Sequence, residues 1–229
     1  EVFDGAGTKL ALPWIGPLES ERLFGLRLSK DDARLGALAG GRMQVFDARP
    51  GAAGTPHHQR AGGGSLTLSA KGEVSALADH GGVSFQGTAG PLLRVNTLGP
   101  PHAVAFAASR WAVVAEARRV HVVDLGTGAT SFVGTVAPAN ARIGSLDVVA
   151  RGGGVRVAVG SLIEHGTDTA TVFLHVLDHA PGSPAVIRSW PRFSSASWNV
   201  RSPGVQLVAG STRVIVHTRD QVRVSSEAP

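Results

Sequence analysis

The stretch Phe24–Asp47 reads FGLRLSKDDARLGALAGGRMQVFD and decides the fold class. Phe24–Leu28 alternates apolar and polar residues, as a half-buried strand does. Leu35–Ala39 is a second, almost wholly apolar run, and Gly40-Gly41 after it is a hairpin signal. Met43–Phe46 then forms the next strand. The stretch therefore predicts three short strands joined by tight turns.

A weaker fourth strand, near His57–Arg60, follows the break at Pro50-Gly51 and completes a unit of four strands. The same order recurs downstream in Leu66–Ser69, Val74–Ala78, Val83–Phe85 and Leu92–Val95, and again in Ala103–Phe106, Trp111–Ala115, Val120–Val123 and Ser131–Val133. A fourth and a fifth unit begin near Leu146 and Trp198. Because no part of the chain shows sustained helical periodicity, an all-β fold is predicted.

A short pattern with an apolar centre marks the third strand of these units. Its copies are Val45-Phe46-Asp47, Ser84-Phe85-Gln86, Val122-Val123-Asp124, Val176-Leu177-Asp178 and Val216-His217-Thr218, with an orphan first copy in Val2-Phe3-Asp4. Their central residues lie 43, 39, 38, 54 and 40 positions apart. A period of roughly 40 residues is typical of folds that repeat one unit, which cannot bury its own faces alone.

The composition supports a globular chain and excludes several classes of protein. Apolar residues make up 43% of the 229 residues and charged residues 17%, which argues against a disordered chain. No apolar run approaches the ~18 residues that cross a bilayer. The chain has no cysteine, which excludes a disulfide framework and a thiolate metal site and leaves the cellular compartment open. The net charge of +5 comes from scattered arginines, so most of it is expected on solvated surface.

Two stretches resemble the WD repeats of β-propellers. Phe24–Asp47 looks like one repeat, with Phe46-Asp47 in place of the tryptophan–aspartate pair of the family, and Val122–Gly128 is a second match. His102 falls roughly where the glycine–histidine pair of the family would. Through its period the resemblance covers nearly the whole chain. It implies that the repeats are blades arranged around a channel, which leaves only short, protected sheet edges.

The predicted architecture is a β-propeller of about five four-stranded blades, plus two N-terminal strands of a further, incomplete blade. The predicted bounds are 1–20 for the partial blade, then 22–61, 63–99, 102–136, 144–191 and 195–227. The partial blade consists of Val2–Asp4 and Leu10–Ile15, and the last strand is expected at Val222–Val224. Unpaired strand edges invite pairing, so we expect a piece of a longer propeller, or alternatively a small ring closed by the N-terminal strands.

The resemblance also implies a binding face. In propellers, the turns between second and third strands and the links between blades share one face that commonly binds partners. Here the turns contribute Arg42, His80, Arg118, Arg119, Glu164, His165, Asp168 and Arg213, and the links contribute Arg60, His102 and Arg142. These eleven residues are the predicted rim. Its cations suit an acidic peptide, a phosphate or nucleic acid, and the competing interpretation is that hairpin tips are simply solvated.

The hairpin of the fourth unit is predicted to be long. Val157–Leu177 spans 20 positions, where the equivalent Val113–Val123 spans 10. The two carboxylates and one histidine at its tip could ligate a metal, but a solvated turn is favoured over such a site, and no cofactor is expected. The apolar flanks Leu162-Ile163 and Val172-Phe173 are predicted to contact a partner or a neighbouring blade.

The function favoured by these patterns is a noncatalytic scaffold that presents a loop face to a protein or peptide, within a larger chain or complex. The alternatives are an enzyme with its site at the channel mouth, and binding of nucleic acid or an acidic ligand by the rim. Catalysis is less favoured because His121 and Asp124, three apart on a strand, fall on opposite faces. Nucleic acid is less favoured because aromatic residues, the stacking platforms for bases, are only 5% of the chain.

Overall fold

The structure is a computed structural model, and it describes residues 23–49, 55–62, 64–165, 169–189, 193–195, 204–208, 213–217 and 222–225. Every regular element in these ranges is a β-strand, and all strand pairs are antiparallel. The ranges contain no helix that is long and apolar enough to cross a membrane. The chain divides into two compact units, residues 1–96 and 97–229.

The first unit contains two four-stranded sheets, each a simple meander. The first sheet consists of β1 (Leu23–Leu28), β2 (Arg34–Ala39), β3 (Arg42–Asp47) and β4 (His58–Ala61), and the second of β5 (Ser65–Leu68), β6 (Val74–Asp79), β7 (Gly82–Gly87) and β8 (Gly90–Asn96). Apolar side chains of both sheets share one cluster, which includes Leu38, Met43, Leu66 and Leu77. Gly36 lets the sheets approach closely, because a Cβ atom there would lie 2.8 Å from a methyl group of Leu66.

The second unit contains three further sheets. The third sheet consists of β9 (Pro101–Ala107), β10 (Trp111–Glu116), β11 (Arg119–Asp124) and β12 (Ala129–Thr135). The fourth consists of β13 (Arg142–Arg151), β14 (Gly154–His165), β15 (Thr169–His179), β16 (Val186–Ser189) and β17 (Phe193–Ser195). The fifth consists, in the described ranges, of β18 (Gly204–Leu207), β19 (Val214–His217) and β20 (Val222–Ser225).

The strands predicted in the first three units are confirmed. Each predicted strand overlaps a strand of the structure, from β1 through β12, and the last one, Val222–Val224, lies within β20. The pattern identified them because each run of alternating or apolar residues ends at a turn that only a few residue types form. The predicted strands Val2–Asp4 and Leu10–Ile15, and the start of a unit near Trp198, lie outside the described residues.

The fourth sheet lies between two apolar clusters because its long central strands alternate. Along β14, Val155, Val157 and Val159 join a cluster with residues of the third sheet such as Val122. The intervening Ala158 joins a different cluster, shared with residues of the fifth sheet such as Val216. Successive residues of a strand point to opposite faces, so a strand that is apolar at nearly every position is buried on both faces.

The long hairpin predicted in the fourth unit is confirmed. β14 has 12 residues and β15 has 11, whereas β10 and β11 have six each. Val172 is buried in the cluster shared with the fifth sheet, and Ile163 packs against the cluster shared with the third sheet. Of the two expectations for the apolar flanks, contact with neighbouring sheets is therefore the one that the structure shows.

The strand β17 was not predicted by the sequence pattern. The short β16 pairs with β15 only at His175–Asp178, so the first half of the long β15 would be left as an open edge. β17 pairs with that half, at Ala170–Val172. Since an exposed strand edge invites pairing with other chains, β17 covers an edge that the extra length of β15 creates.

Replacing Leu177 by alanine tests the shared cluster. Leu177 is fully buried between the third and fourth sheets, so Leu177→Ala is expected to lower the free energy of unfolding by about 2–5 kcal/mol. The matched control is Leu98→Ala in the same unit, where the side chain is 84% exposed and the change should stay within about 0.5 kcal/mol. Urea denaturation followed by tryptophan fluorescence measures both. Equal losses in the two variants would contradict the shared core.

Candidate functional site

Many arginines of this chain are held by aspartates within the sheets. In three sheets an arginine near the start of the second strand contacts an aspartate at or next to the end of the third strand. The pairs are Arg34–Asp47, Arg110–Asp124 and Arg156–Asp178, at nitrogen–oxygen distances of 3.1, 2.9 and 2.7 Å. These aspartates are the last residues of three copies of the recurring tripeptide. The repeated motif therefore supplies structural ion pairs, which crosslink neighbouring strands.

The second sheet carries its own version of this pair. Gln86 stands where the motifs of the first, third and fourth sheets have aspartate, and instead Asp79, at the end of β6, receives a two-pronged hydrogen bond from Arg94 on β8. The nitrogen–oxygen distances are 2.8 and 2.7 Å. Hydrogen bonds from Arg94 lower the pKa of Asp79 from 3.8 to about 2, and a backbone N–H of Gly81 adds to the effect.

A cluster of strand ends in the third sheet forms the candidate site. Pro101 begins β9, Glu116 ends β10, Arg119 begins β11 and Thr135 ends β12. The register pairs Glu116 with both Pro101 and Arg119, and Arg119 with Thr135. All four strand ends therefore lie together at one end of the sheet.

Glu116 organises this end of the sheet. Its side chain is buried, and Oε2 accepts hydrogen bonds from the backbone N–H groups of Leu98 and Gly99 at 2.6 and 3.3 Å. Its other oxygen, Oε1, lies 3.2 Å from Nε2 of His121. A buried carboxylate needs such partners. Here the carboxylate of Glu116 holds the segment before β9, which contains Leu98 and Gly99, at the end of β10.

The turn between β10 and β11 is held by its own carbonyl groups. Ala117 adopts a left-handed conformation, with φ of 44°, and its carbonyl accepts the N–H of Ile143 at 3.0 Å. The carbonyl of Arg118 accepts the N–H of Val136 at 2.9 Å. The backbone of the turn is thus bonded both to the link that follows β12 and to the start of β13, and the turn presents the side chains of Arg118 and Arg119 from a fixed position.

A cavity of about 320 Å³ opens beside this turn. His102, Arg118 and Arg119 line it, together with Leu98, Pro100 and the buried Glu116. Arg119 lies 3.8 Å from Glu116, and Arg118 pairs with no carboxylate in the part of the chain that the structure describes. Because arginine stays protonated at physiological pH and the carboxylate is shared with backbone N–H groups, the cavity carries a net positive charge.

The structure brings three of the eleven predicted rim residues, His102, Arg118 and Arg119, into this one cavity. The resemblance placed His102 in a glycine–histidine pair, but here the side chain is exposed on β9. Arg142, the first residue of β13, forms an ion pair at 2.6 Å with Glu164 on the long hairpin.

The remaining rim residues do not join the cavity. His165 lies 2.8 Å from the hydroxyl of Thr171, and Asp168 is outside the described residues. Arg213 is exposed before β19. Arg42, Arg60 and His80 belong to the first unit, where Arg42 begins β3 beside the strand that carries Arg60, and His80 lies at the exposed turn before β7. Nowhere in the described ranges do three metal-ligating side chains come close enough to hold an ion.

Sequence reasoning missed Glu116, because a single glutamate at the end of an apolar strand is no signal of burial. It also missed the arginine–aspartate pairs. There a signal existed, since three units have an arginine near the start of the second strand and an aspartate at the end of the recurring tripeptide on the third strand. The predicted separation of His121 from Asp124 is confirmed: His121 lies beside Glu116, whereas Asp124 binds Arg110.

Comparison with known proteins identifies the fold and not the family. No family model and no curated protein matches the chain. Solved β-propellers do match, including the WD40 domain of SCAP from fission yeast, with a TM-score of 0.55 and 11% identity over 89% of this chain and 53% of that one. A chain of a mitotic checkpoint complex gives a TM-score of 0.52 and 14% identity over 92% of this chain and 78% of that one.

An enzyme is also among the structural neighbours. Dipeptidyl peptidase 4 of Porphyromonas gingivalis gives a TM-score of 0.55 and 11% identity, over 91% of this chain and 38% of that one. This chain spans about half the length of several chains that it matches. The fold is thus a WD-like β-propeller built of antiparallel sheets, as the sequence pattern predicted. Such folds serve many functions, so the function is argued from the site.

Removing the Glu116 carboxylate is expected to release the link that precedes β9. Glu116→Ala leaves the N–H groups of Leu98 and Gly99 without their acceptor, so hydrogen exchange at both amides should accelerate by about tenfold or more. Glu116→Gln keeps one acceptor oxygen and should retain part of the protection. Exchange measured by NMR distinguishes the two. Unchanged protection at both amides in Glu116→Ala would refute the role assigned to this side chain.

The Asp79–Arg94 pair predicts a local pH dependence. The pKa in the folded state, about 2, lies below the ordinary value of 3.8. The pair therefore stabilises the folded state at pH values above the ordinary pKa of 3.8. This contribution is lost as the pH falls through the pKa of Asp79 in the folded state. The carboxyl carbon of Asp79, followed by NMR, should titrate with a midpoint well below 3.8 in the wild type and near the ordinary range in Arg94→Gln. If the titration midpoint of Asp79 is the same in Arg94→Gln as in the wild type, Arg94 is not the cause of the lowered pKa.

Proposed function

We propose that this chain is a noncatalytic interaction scaffold, and that its second unit binds an acidic segment of a protein or peptide in the cavity beside the β10–β11 turn. The observation that supports this most is the balance of charge in that cavity. Three basic side chains line it, whereas its carboxylate, Glu116, is buried and already accepts two backbone hydrogen bonds. An acidic side chain would find donors there without competing with a free carboxylate.

The rigidity of the turn favours binding over mere solvation. The carbonyl of Arg118 is hydrogen-bonded to Val136 in the link after β12, and the carbonyl of Ala117 is hydrogen-bonded to Ile143 in β13. Binding to a turn that is already ordered costs less conformational entropy than binding to a mobile loop. The arginine fork can then engage a carboxylate through two parallel hydrogen bonds.

Apolar surface beside the cavity fits a peptide better than a small ion. Leu98 is largely exposed at the cavity wall, and Pro100 lies near it. Exposed large apolar side chains beside polar donors are typical of protein interaction sites. We infer a partner segment that combines acidic residues with at least one apolar residue.

An enzyme is the alternative from a different class, and one pair of residues bears on it. Nδ1 of His175 lies 2.8 Å from the hydroxyl of Ser189, as in a serine–histidine pair. The other ring nitrogen is buried without a partner, whereas a hydrolase orients its histidine with a carboxylate there. Burial also lowers the pKa of His175. This pair is better explained as part of the packing of the fourth sheet, beside the stacked ring of Phe173.

Charge reversal at Arg118 tests the proposal. A fluorescently labelled oligoglutamate peptide containing one leucine is the probe, and anisotropy measures its binding to the full chain. Arg118→Glu is expected to weaken binding by about tenfold, or ~1.4 kcal/mol, because it replaces the donor with a like charge. Arg118 is preferred to Arg119, since Arg119→Glu would add a second carboxylate next to Glu116.

The matched control is Lys30→Glu, an exposed change in the first unit that alters the net charge equally. It should leave the affinity for the peptide unchanged within about twofold. Equal weakening by both variants would mean that net charge alone attracts the peptide, and would refute the cavity. A single-stranded oligonucleotide that binds more tightly than the peptide, with the same loss in Arg118→Glu, would favour nucleic acid as the ligand instead.

A further inference from the structure

His175 links two strands of the fourth sheet from a buried position. The residue lies on β15 with only 4% of its surface exposed, and Nδ1 of its ring is 2.8 Å from the hydroxyl oxygen of Ser189 on β16. The register places the two residues directly opposite each other. This hydrogen bond therefore holds β16, a short strand, against β15.

The other ring nitrogen of His175 has no partner. Nε2 is buried and makes no hydrogen bond. A buried N–H without an acceptor is less tolerated than a buried lone pair, so the ring proton belongs on Nδ1, which donates it to Ser189. A second proton would bind at Nε2, where it would create both a buried positive charge and a buried donor without an acceptor.

The neighbours of His175 on the same face of its own sheet carry no charge. Val159 lies opposite it on β14, and the ring of Phe173 is stacked at a centroid distance of 6.4 Å. Ser161, opposite Phe173, is fully buried, and its hydroxyl also has no hydrogen-bond partner. A hydroxyl group cannot neutralise an imidazolium ring.

The aspartate nearest to His175 along β15 lies on the opposite face. Asp178 is three residues further along the strand, so the alternation of side chains directs it away from His175. There it accepts hydrogen bonds from Arg156 at 2.7 Å and from Arg188 at 3.1 Å. It is therefore not placed to pair with His175.

Two further histidines share the face of His175, at the two ends of the long hairpin. His179 lies at the end of β15, beside Arg151 in a cavity at that end of the sheet. His165 ends β14 near the tip, 2.8 Å from the hydroxyl of Thr171. Neither histidine supplies a negative charge for a protonated His175.

The third sheet covers this face mainly with apolar side chains. The cluster between the two sheets includes Ala115 of β10 and Val122 of β11. Asp124 follows Val122 by two residues and shares its face, but it accepts hydrogen bonds from Arg110 at 3.2 and 2.9 Å. Glu116 directly follows Ala115, so it points to the other face. The carboxylates of these strands are thus either paired or directed elsewhere.

Burial therefore opposes the protonation of His175 in the folded sheet. It lowers the pKa of His175 below the ordinary value of 6.5, because the charged ring would lose its hydration. Release of β16 returns the ring toward water and restores its ordinary affinity for protons. Below pH 6.5 the open form then binds more protons than the closed form, so the pairing of β16 is stable above this pH and weakens as the pH falls below it.

Little other structure holds β16 in place. The strand has four residues and, in the part of the chain that the structure describes, pairs with β15 alone. Val186 and Ile187 are 51% and 41% exposed, so its release uncovers little additional apolar surface from these two residues. Besides the hydrogen bond of Ser189, the ion pair of Arg188 with Asp178 links it to β15. Segments with few buried apolar contacts open most readily.

We propose that β16, Val186–Ser189, is an acid-sensitive strap, which leaves the edge of β15 when His175 takes up a second proton at mildly acidic pH. The released strap uncovers the backbone of His175–Asp178, an edge that another strand can pair with. The strap does not depend on the cavity beside the β10–β11 turn, since it lies on a different sheet and uses different residues.

Amide hydrogen exchange of the full chain, followed by NMR between about pH 7.5 and about pH 5, tests the strap. Measured rates are divided by the intrinsic rates at each pH to give protection factors. Protection of the amides between β15 and β16 is expected to fall by up to about tenfold per pH unit below 6.5, because opening takes up one proton. Amides between β10 and β11 should keep their protection. Constant protection of β16, or an equal loss in both sheets, would overturn the proposal.

Two variants assign the pH dependence to one residue. His175→Gln retains a side chain that can hydrogen-bond to Ser189 but does not titrate, so the protection of β16 should no longer depend on pH. His57→Gln, an exposed change in the first unit, is the matched control and should keep the behaviour of the wild type. A pH dependence that persists in His175→Gln would contradict the strap.

The nitrogen signals of the His175 ring give an answer even where the variant folds poorly. In the wild type at about pH 7.5 they should show a neutral ring with its proton on Nδ1. Protonation of the ring should coincide with the loss of protection in β16. A ring that is already charged at about pH 7.5, or that becomes charged while β16 keeps its protection, would refute the proposal.

Discussion

The sharing of apolar faces between neighbouring sheets is the constraint on which the rest of the structure depends. A four-stranded sheet of this size cannot cover both of its own faces, so each must pack against the next. In the second unit the fourth sheet shows this most clearly: Val157 belongs to a cluster with the third sheet, and the adjacent Ala158 to a cluster with the fifth. Packing these faces together determines which residues of neighbouring sheets meet. The strand ends in turn determine which turns can carry charged side chains and form cavities.

The charged side chains of this chain fall into two groups: those that form ion pairs within the sheets, and those that are placed where a partner could contact them. The aspartates of the recurring tripeptide hold arginines across the strands, as Asp124 holds Arg110, and these pairs belong to the sheets. Arg118 is different because its turn is fixed through backbone carbonyls, so its guanidinium is not needed to hold the turn. The overall charge of +5 therefore says little about binding by itself. What matters is where cations outnumber the carboxylates that could neutralise them.

Two cavities of the second unit arise at strand ends, but they differ in how their carboxylate is used. Beside the β10–β11 turn, Glu116 accepts backbone N–H groups and lies 3.8 Å from Arg119, while Arg118 lines the cavity. At the far end of the fourth sheet, Asp178 receives hydrogen bonds from Arg156 and Arg188 and lies 4.0 Å from Arg151. In each case the carboxylate is bound by groups of the fold itself. The first cavity also has exposed apolar surface at its wall, in Leu98.

The sequence by itself determined the all-β fold, the repeat of about 40 residues, the strand positions of the first three units and the long hairpin. These features are local: alternation, glycine turns and the distance between turns are all written along the chain. Only the tertiary structure decided that Glu116 reaches back to Leu98, that β17 covers the edge of β15, and that His102 meets Arg118 in one cavity. Each of these depends on residues that are separated along the chain and meet only when strands pair and turns close. No single stretch of sequence contains both partners, and for that physical reason the pattern could name candidate residues for the rim but could not show which of them share a site.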